Sequence, residues 1–450
     1  MKVNNLIKIL SLLLIFTACK KDPETSSVTA LDTALEEALL AASDGMGKSH
    51  FMLPYSTELD KIPQDPNNPL NEDKIQLGAL LFHETGLALA PKHVEGTGSY
   101  SCASCHFATA GFQAGRHQGI ADGGMGFGIN GESRVPNPTY DLTELDVQPV
   151  RSPSALNSAY QKVNLWNGQF GATGPNAGTE AQWTPDTPKE TNNLGFEGVE
   201  TQAIAAMGVH RLDISREICL DLRYHELFDD AFPEVPESER YSTVQAGLAI
   251  AAYERFLLPS QAPFQLWLRG SAGVLSDQEK EGAILFFGKA GCANCHNGPN
   301  LANMDFHGLG MKDLFETNEL TYGADADSDA NLGRYSFTKV EADKYKFKVP
   351  QLYNLADSPF YGHGSSFRSI REVVAYKNAG VKENPNVPDE QLAEDFQPLG
   401  LTESEIDAIT AFIEEGLRDP NLLRYQPLSI RSGNCFPNND EMSKADLGCN

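Results

Sequence analysis

Two stretches of this chain read Cys-x-x-Cys-His: Cys102-Ala103-Ser104-Cys105-His106 and Cys292-Ala293-Asn294-Cys295-His296. Two thiols at this spacing reach both vinyl groups of one porphyrin, and the adjoining imidazole then lies beneath the iron. A lone Cys-x-x-Cys pair also suits zinc. Two pairs, each followed at once by histidine, point instead to two covalently bound haem c groups. Each macrocycle then supplies core that the polypeptide itself need not provide.

The first residues agree with that chemistry. Met1-Lys2 and Lys8 flank an apolar run, Ile9 to Phe16, that ends in Thr17-Ala18-Cys19. This is a charged start, an apolar segment short for a bilayer, and a small-residue cleavage site. Cysteine directly after Thr-Ala resembles a lipoprotein box, with residues 1–18 as signal peptide and Cys19 as the lipid-bearing membrane anchor. An ordinary secretory signal is the alternative, and either one sends the chain to the cell envelope, as a periplasm-facing or surface protein. Residues 19–45 read as tether and N-terminal segment. The net charge of −26, from 61 acidic and 35 basic residues, argues against nucleic acid. It suits solubility in the envelope and steering of a basic redox partner.

The eight cysteines divide by use. Cys19 is for lipid and four are for haem. Cys435 and Cys449 lie in a Gly-, Asn- and Pro-rich tail, 433–450, that a disulfide would staple where oxidation is permitted. Cys219, in an apolar context, reads as a buried, inert thiol.

The same parts occur twice in the same order. A helix with apolar residues at helical spacing precedes each motif, over Asp73–Phe82 and over Ser276–Phe287, the second opening with a Ser-x-x-Glu capping box. Ser152-Pro153-Ser154-Ala155-Leu156-Asn157 echoes Val349-Pro350-Gln351-Leu352-Tyr353-Asn354, and Leu165-Trp166-Asn167-Gly168 echoes Tyr361-Gly362-His363-Gly364. Helices follow near Gly198–Met207 and Ser369–Lys377. A buried helix is expected over Thr243–Leu257, and Pro259 and Pro263 then mark a domain junction. A last amphipathic helix opens at Thr402 and runs to about Leu417. Phe170–Asn193 carries no periodic pattern and reads as an inserted loop. Strand signals are sparse. The fold class is therefore all-α, with two cytochrome-c-like haem domains and long loops, divided as 46–258 and 259–432.

Over nearly everything after residue 70 the chain resembles the bacterial di-haem cytochrome c peroxidase and MauG family. The matching stretches include Leu77-Gly78-x-x-Leu81-Phe82, Ala252-Tyr253-Glu254-Arg255, Pro263-Phe264, Leu268-Arg269-Gly270 and Leu285-Phe286-Phe287-Gly288-Lys289-Ala290-Gly291-Cys292. Further on they include His296-Asn297-Gly298-Pro299-Asn300, Gly333-Arg334-Tyr335, Phe347-Lys348-Val349-Pro350 and Pro398-Leu399-Gly400-Leu401-Thr402.

The resemblance implies an enzyme that reduces hydrogen peroxide to water with electrons from a small cytochrome c or cupredoxin. Peroxide would react at the N-terminal haem, with His106 as proximal ligand, and electrons would enter at the C-terminal haem, held by His296. Trp166 matches the family tryptophan between the haems, a position suited to electron relay. Gln202 matches the family glutamine at the peroxide site. The family glutamate ten positions later is absent, since Leu212 stands there, and His210 or Asp213 takes its proton-transfer role. His117 is the histidine in place to cap the first iron at rest. At the second haem the family methionine position falls on Lys377, beside Tyr376, with Met311 as the nearest thioether. A nitrogen or oxygen ligand there would lower the potential. Family members also hold calcium between the haems, at a position that falls here near Arg151 and Ser152, and are often homodimers. Two other readings stay open: a MauG-like oxidase of a protein or organic substrate, and a non-catalytic di-haem electron carrier.

Overall fold

The computed structural model describes residues 28–449. The leader and Cys19 lie outside the described residues, and no described helix is long and apolar enough to cross a membrane. Helices dominate, and the strands are two short antiparallel ribbons, β1 (Gly124–Met125) with β2 (Val135–Pro136) and β3 (Phe306–His307) with β4 (Phe347–Lys348).

The principal helices are α1 (Ala30–Ala42), α2 (Glu72–His83), α3 (Gly198–Val209), α4 (Thr243–Phe256), α5 (Asp277–Phe287), α6 (Ile370–Ala379) and α7 (Glu403–Ala411). Their starts follow local chemistry. Asn71 caps α2, and reciprocal capping boxes open α5 (Ser276 with Glu279), α6 (Ser369 with Glu372) and α7 (Thr402 with Glu405). A π-turn over Phe412–Gly416 extends α7, so this helix ends near the residue its amphipathic pattern predicts, and a short helix over Glu441–Leu447 follows in the tail. The inserted loop holds 3₁₀ turns instead of a regular helix. Buried asparagines organise it: Asn192 Oδ1 accepts from Gly171 N at 2.9 Å, and Asn176 Nδ2 donates to the Gly168 and Gly171 carbonyls.

The internal repeat is structural. In the first half α2 crosses α4, and a Cβ on Gly78 would lie 1.9 Å from the Ala249 carbonyl oxygen. In the second half α5 crosses α7, and a Cβ on Gly282 would lie 1.9 Å from the Ala408 oxygen. Only glycine lets the backbones touch at these points. Asn157 and Asn354 both adopt left-handed backbone, at φ 60° and 55°. Each is followed at the same spacing by an antiparallel bridge, Asn164 with Phe170 and Tyr361 with Phe367.

The two cores are not contiguous in sequence. Residues 30–42, read as tether, form α1, whose Leu35 and Leu39 join Phe51, Leu53 and Ile62 in the core of the second half, against Phe264, Trp267 and Phe286. Asp32 anchors that packing: it accepts from Trp267 Nε1 at 2.7 Å and pairs with buried Lys280 at 2.8 Å. Burial pushes its carboxyl up, and the Lys280, Thr29 and Trp267 bonds outweigh this and hold it well below the usual range. Conversely Leu422 and Tyr425 belong to the first core. The expected Cys435–Cys449 disulfide is present, and its loop docks on the first half, with Asn439 N donating to Ser99 O and Asp440 pairing with Arg134. Each end of the chain thus straps the opposite half.

Gly78→Ala should destabilise the holoprotein by about 1–3 kcal/mol, because a methyl there meets backbone that cannot yield. Gly208→Ala, with open space around it on α3, should be neutral or stabilising by up to about 1 kcal/mol. Thermal melts of the two variants beside the parent measure both.

Candidate functional site

Both motifs form a single tight turn, Cys102–Ser104 and Cys292–Asn294, with the His106 N–H donating to the Cys102 carbonyl and the His296 N–H to the Cys292 carbonyl. The first turn is held from outside: Ser104 Oγ bonds Asn438 Oδ1 at 2.5 Å, and Ser101 Oγ donates to the Pro437 carbonyl at 3.1 Å. The stapled tail therefore braces the N-terminal motif. The imidazoles are set alike. His106 Nδ1 faces the Phe112 carbonyl at 3.2 Å and His296 Nδ1 the Leu301 carbonyl at 2.9 Å. Phe112 and Leu301 are both left-handed, at φ 54° and 49°, which turns those carbonyls toward the rings.

These residues fit covalent haem. Both imidazoles are half-buried, and desolvation pushes them down to about 4, so they are neutral, and the carbonyl contact makes Nδ1 the donor and leaves the Nε2 lone pair for iron. Burial pushes the Cys102 and Cys105 thiols up to about 12 and Cys292 up to about 11. None of the four pairs as a disulfide. One cavity of about 540 Å³ connects the two motifs, lined by all six motif residues and by apolar side chains that include Phe82, Ile250, Phe286 and Ile409.

On the N-terminal side α3 supplies Gln202, Ala206 and Met207, and its C-cap residue His210 closes the wall. A buried ion pair holds α3 against α4: Arg255 grips Glu200 with two bonds of 2.7 Å. His210 Nδ1 bonds Asp146 Oδ2 at 2.8 Å, and Asp146 also lines the cavity. Burial works to lower the His210 pKa, and the Asp146 charge and hydrogen bond reverse this to a net rise. His210 is close enough that its charge acts on His106. Asp213 is exposed and binds the Ile214 N–H, outside the cavity. His117 is buried away from the lining, with Nε2 on the Leu320 carbonyl at 2.8 Å.

Between the motifs, Trp166 Nε1 donates to the Arg151 carbonyl at 2.8 Å, and its ring lies 6.3 Å from His363. His363 stacks on Phe347 at 3.6 Å and bonds Asp313 at 2.9 Å. Trp166, His363 and Phe347 all reach the cavity. Arg151 and Lys348 line it too, buried and pushed down by burial to about 9 and about 8. Two buried cations make this wall unfavourable for calcium and favourable for carboxylates.

On the C-terminal side Lys377 lines the cavity, pushed down to about 8 by burial, and its charge acts on His296. Its neighbour Tyr376 points into the core and donates to the Leu309 carbonyl. Met311 stands on the cavity wall, and His307 lies 3.6 Å from Cys295 Sγ.

Residues 72–273 match the family described as di-haem cytochrome c peroxidase. The chain is 29% identical to the cytochrome-c peroxidase IdrP1 of Denitromonas iodatirespirans over 89% of its own length and 98% of that protein's. It is 27% identical to the methylamine utilization protein MauG of Methylorubrum extorquens, over 88% of this chain and 90% of that one. Over residues 72–273 the chain matches the di-haem cytochrome c peroxidase and MauG family. It is thereby a peroxidase-type oxidoreductase. The fold agrees: a solved MauG-like protein associated with microbial copper homeostasis aligns over 82% of this chain and 96% of its own, with a TM-score of 0.58 and 24% identity.

Asp146, Asp313, Phe347 and His307 were not legible as site residues for this family member. Asp146 lies 64 positions from His210, and no local pattern links them. A raised histidine value means that the pair stabilises the fold fully below the unfolded value of about 6.5 and loses that contribution as pH rises through the folded value. Asp146→Asn should therefore lower the melting temperature most in mildly acidic solution, the gap to the parent narrowing as pH rises. A melting series from about pH 6 to about pH 9 checks the sign.

Proposed function

We propose that this protein is a di-haem c-type peroxidase that reduces hydrogen peroxide to water with electrons from a small cytochrome c or cupredoxin. Each half is then a cytochrome-c-like haem domain, and the protein works in the cell envelope. The observation that carries the reading is the cavity shared by both motifs, with the His210–Asp146 pair and Gln202 on the wall of the N-terminal one.

Haem c, when bound through the two thiol pairs, supplies an iron for peroxide at one site and an iron for electron exchange at the other. The rest falls to the chain. Gln202 offers an amide to orient peroxide. His210, held by Asp146 through Nδ1, presents Nε2 to the cavity, where it takes a proton from the inner peroxide oxygen and returns it to the outer one. Two electrons and two protons then convert peroxide to two waters. Trp166, with His363 and Phe347 beside it, carries electrons between the halves. Arg151 and Lys348 hold haem carboxylates. Lys377 is the sixth-ligand candidate at the second haem, with Met311 as the thioether alternative.

A second reading, oxidation of a protein or organic substrate, is favoured by Lys377 on the wall where a thioether would raise the potential. Screening reduced cytochromes and cupredoxins against organic donors separates the two.

His210→Ala should cut peroxide-dependent oxidation of a reduced cytochrome by roughly 10²–10⁴-fold with both haems retained. An unchanged rate removes His210 from the reaction. Lys377→Met should raise the potential of one haem in a redox titration, and an unmoved potential clears Lys377.

A further inference from the structure

Residue 254 breaks the internal repeat. The crossings at Gly78 and Gly282 align Ala249 of α4 with Ala408 of α7. One residue further on, Ile250 matches Ile409, and both line the cavity. Five residues on, Glu254 matches Ile413, at the π-turn that extends α7, and both again line the cavity. The same scaffold therefore accepts isoleucine at this place in the second half and carries a carboxyl there in the first.

That carboxyl is costly. Glu254 is only 7% exposed, and among the described residues no group hydrogen-bonds its side-chain carboxyl. Its neighbour Arg255 is committed to Glu200 and Glu197. Burial, with the Glu200 charge adding and Arg255 opposing, pushes the Glu254 carboxyl up to about 8. An unpaired carboxylate persists in such a place only where an opposite charge arrives to hold it.

The groups on the surrounding elements do not supply one. From α3 comes Glu200, locked to Arg255. From α2 come Lys74, hydrogen-bonded to Asn68 Oδ1, and His83, kept neutral by burial at about 4. Tyr253 on the same helix and Tyr425 packed against it are pushed up by burial and stay neutral. From the motif turn comes Cys102, on whose thiol the Glu254 charge acts and which is a non-titrating thioether once haem is attached. The charge that remains is that of the haem itself. A ferric haem core carries net positive charge and a ferrous one carries none.

We propose that Glu254 is the proton partner of the N-terminal haem, binding one proton when that haem gains an electron and releasing it when the haem is oxidised. This rests on the reading that the first motif carries haem. One electron from the donor reduces ferric iron to ferrous, one proton from solvent forms the O–H bond on the Glu254 carboxylate, and the pocket's net charge is unchanged. The second half, with Ile413, has no such partner. Peroxide reduction consumes protons as well as electrons, so a carboxyl loaded on reduction stores one of those protons inside the first half.

The test is a redox titration of the holoprotein across a pH series. Haem content is measured first: fewer than two covalently bound haems overturns the functional reading itself. With two haems present, one of the two potentials should fall as pH rises, approaching one proton per electron. In Glu254→Gln that potential should become insensitive to pH while the other keeps its behaviour. A second measurement does not depend on the variant: reducing the wild-type protein in weak buffer with a pH indicator should take up close to one proton, beyond the uptake of Glu254→Gln where that variant assembles. An unchanged pH dependence in Glu254→Gln, or no proton uptake by the wild-type protein on reduction, overturns the proposal.

Discussion

At Gly78 the backbone of α2 lies against the Ala249 carbonyl with no room for a methyl group, and at Gly282 α5 lies against Ala408 in the same way. These contacts set the position of everything around the two motifs. Each motif follows the helix that makes the contact, at once in the second half and after a loop in the first, and each partner helix sends two side chains to the cavity. A displaced crossing would move the thiols relative to the wall that faces them. Backbone-to-backbone contact is the stiffest arrangement available, because it contains no side-chain rotamers that can readjust.

The two halves share this frame and differ in what they put on it. Beside the first motif stand His210 with Asp146, Gln202 and Glu254; beside the second stand Lys377, Met311 and Ile413. The first wall can hold and move protons, and the second offers ligands for a metal. At Glu254 and Ile413 the contrast is a substitution at matching places in one repeated scaffold, a way in which a fold acquires two different sites. The chain ends add a further link. α1 braces the second core through Asp32 and Lys280, and the disulfide-closed tail braces the first motif through Ser101 and Ser104. Neither half is complete without a segment from the far end of the chain.

The motif residues, the all-α class, the repeat, the capping boxes and the tail disulfide were legible because each is written locally, in spacings of a few residues. The family resemblance added Gln202, His210, Trp166 and Lys377, and all four stand on the cavity. Asp213, expected in place of the missing glutamate, and His117, expected to cap the first iron, do not. Asp213 sits one turn past the end of α3, where the chain has already turned outward, and the His117 ring is held by a carbonyl from the other half.

The sequence by itself determined the chemistry: two thiol pairs with adjoining histidines, placed after two similar helices, in a chain too acidic for nucleic acid. Only the tertiary structure decided which carboxylates stand on the cavity beside those motifs. Asp146 reaches His210 across 64 residues, Asp313 reaches His363 across 50, and Glu254 is left without a partner because Arg255 beside it turns to Glu200. The physical reason is range. Capping, turn and attachment motifs act over one helical turn and leave a pattern in the sequence. Charges in a buried cavity act through space between segments that only packing brings together.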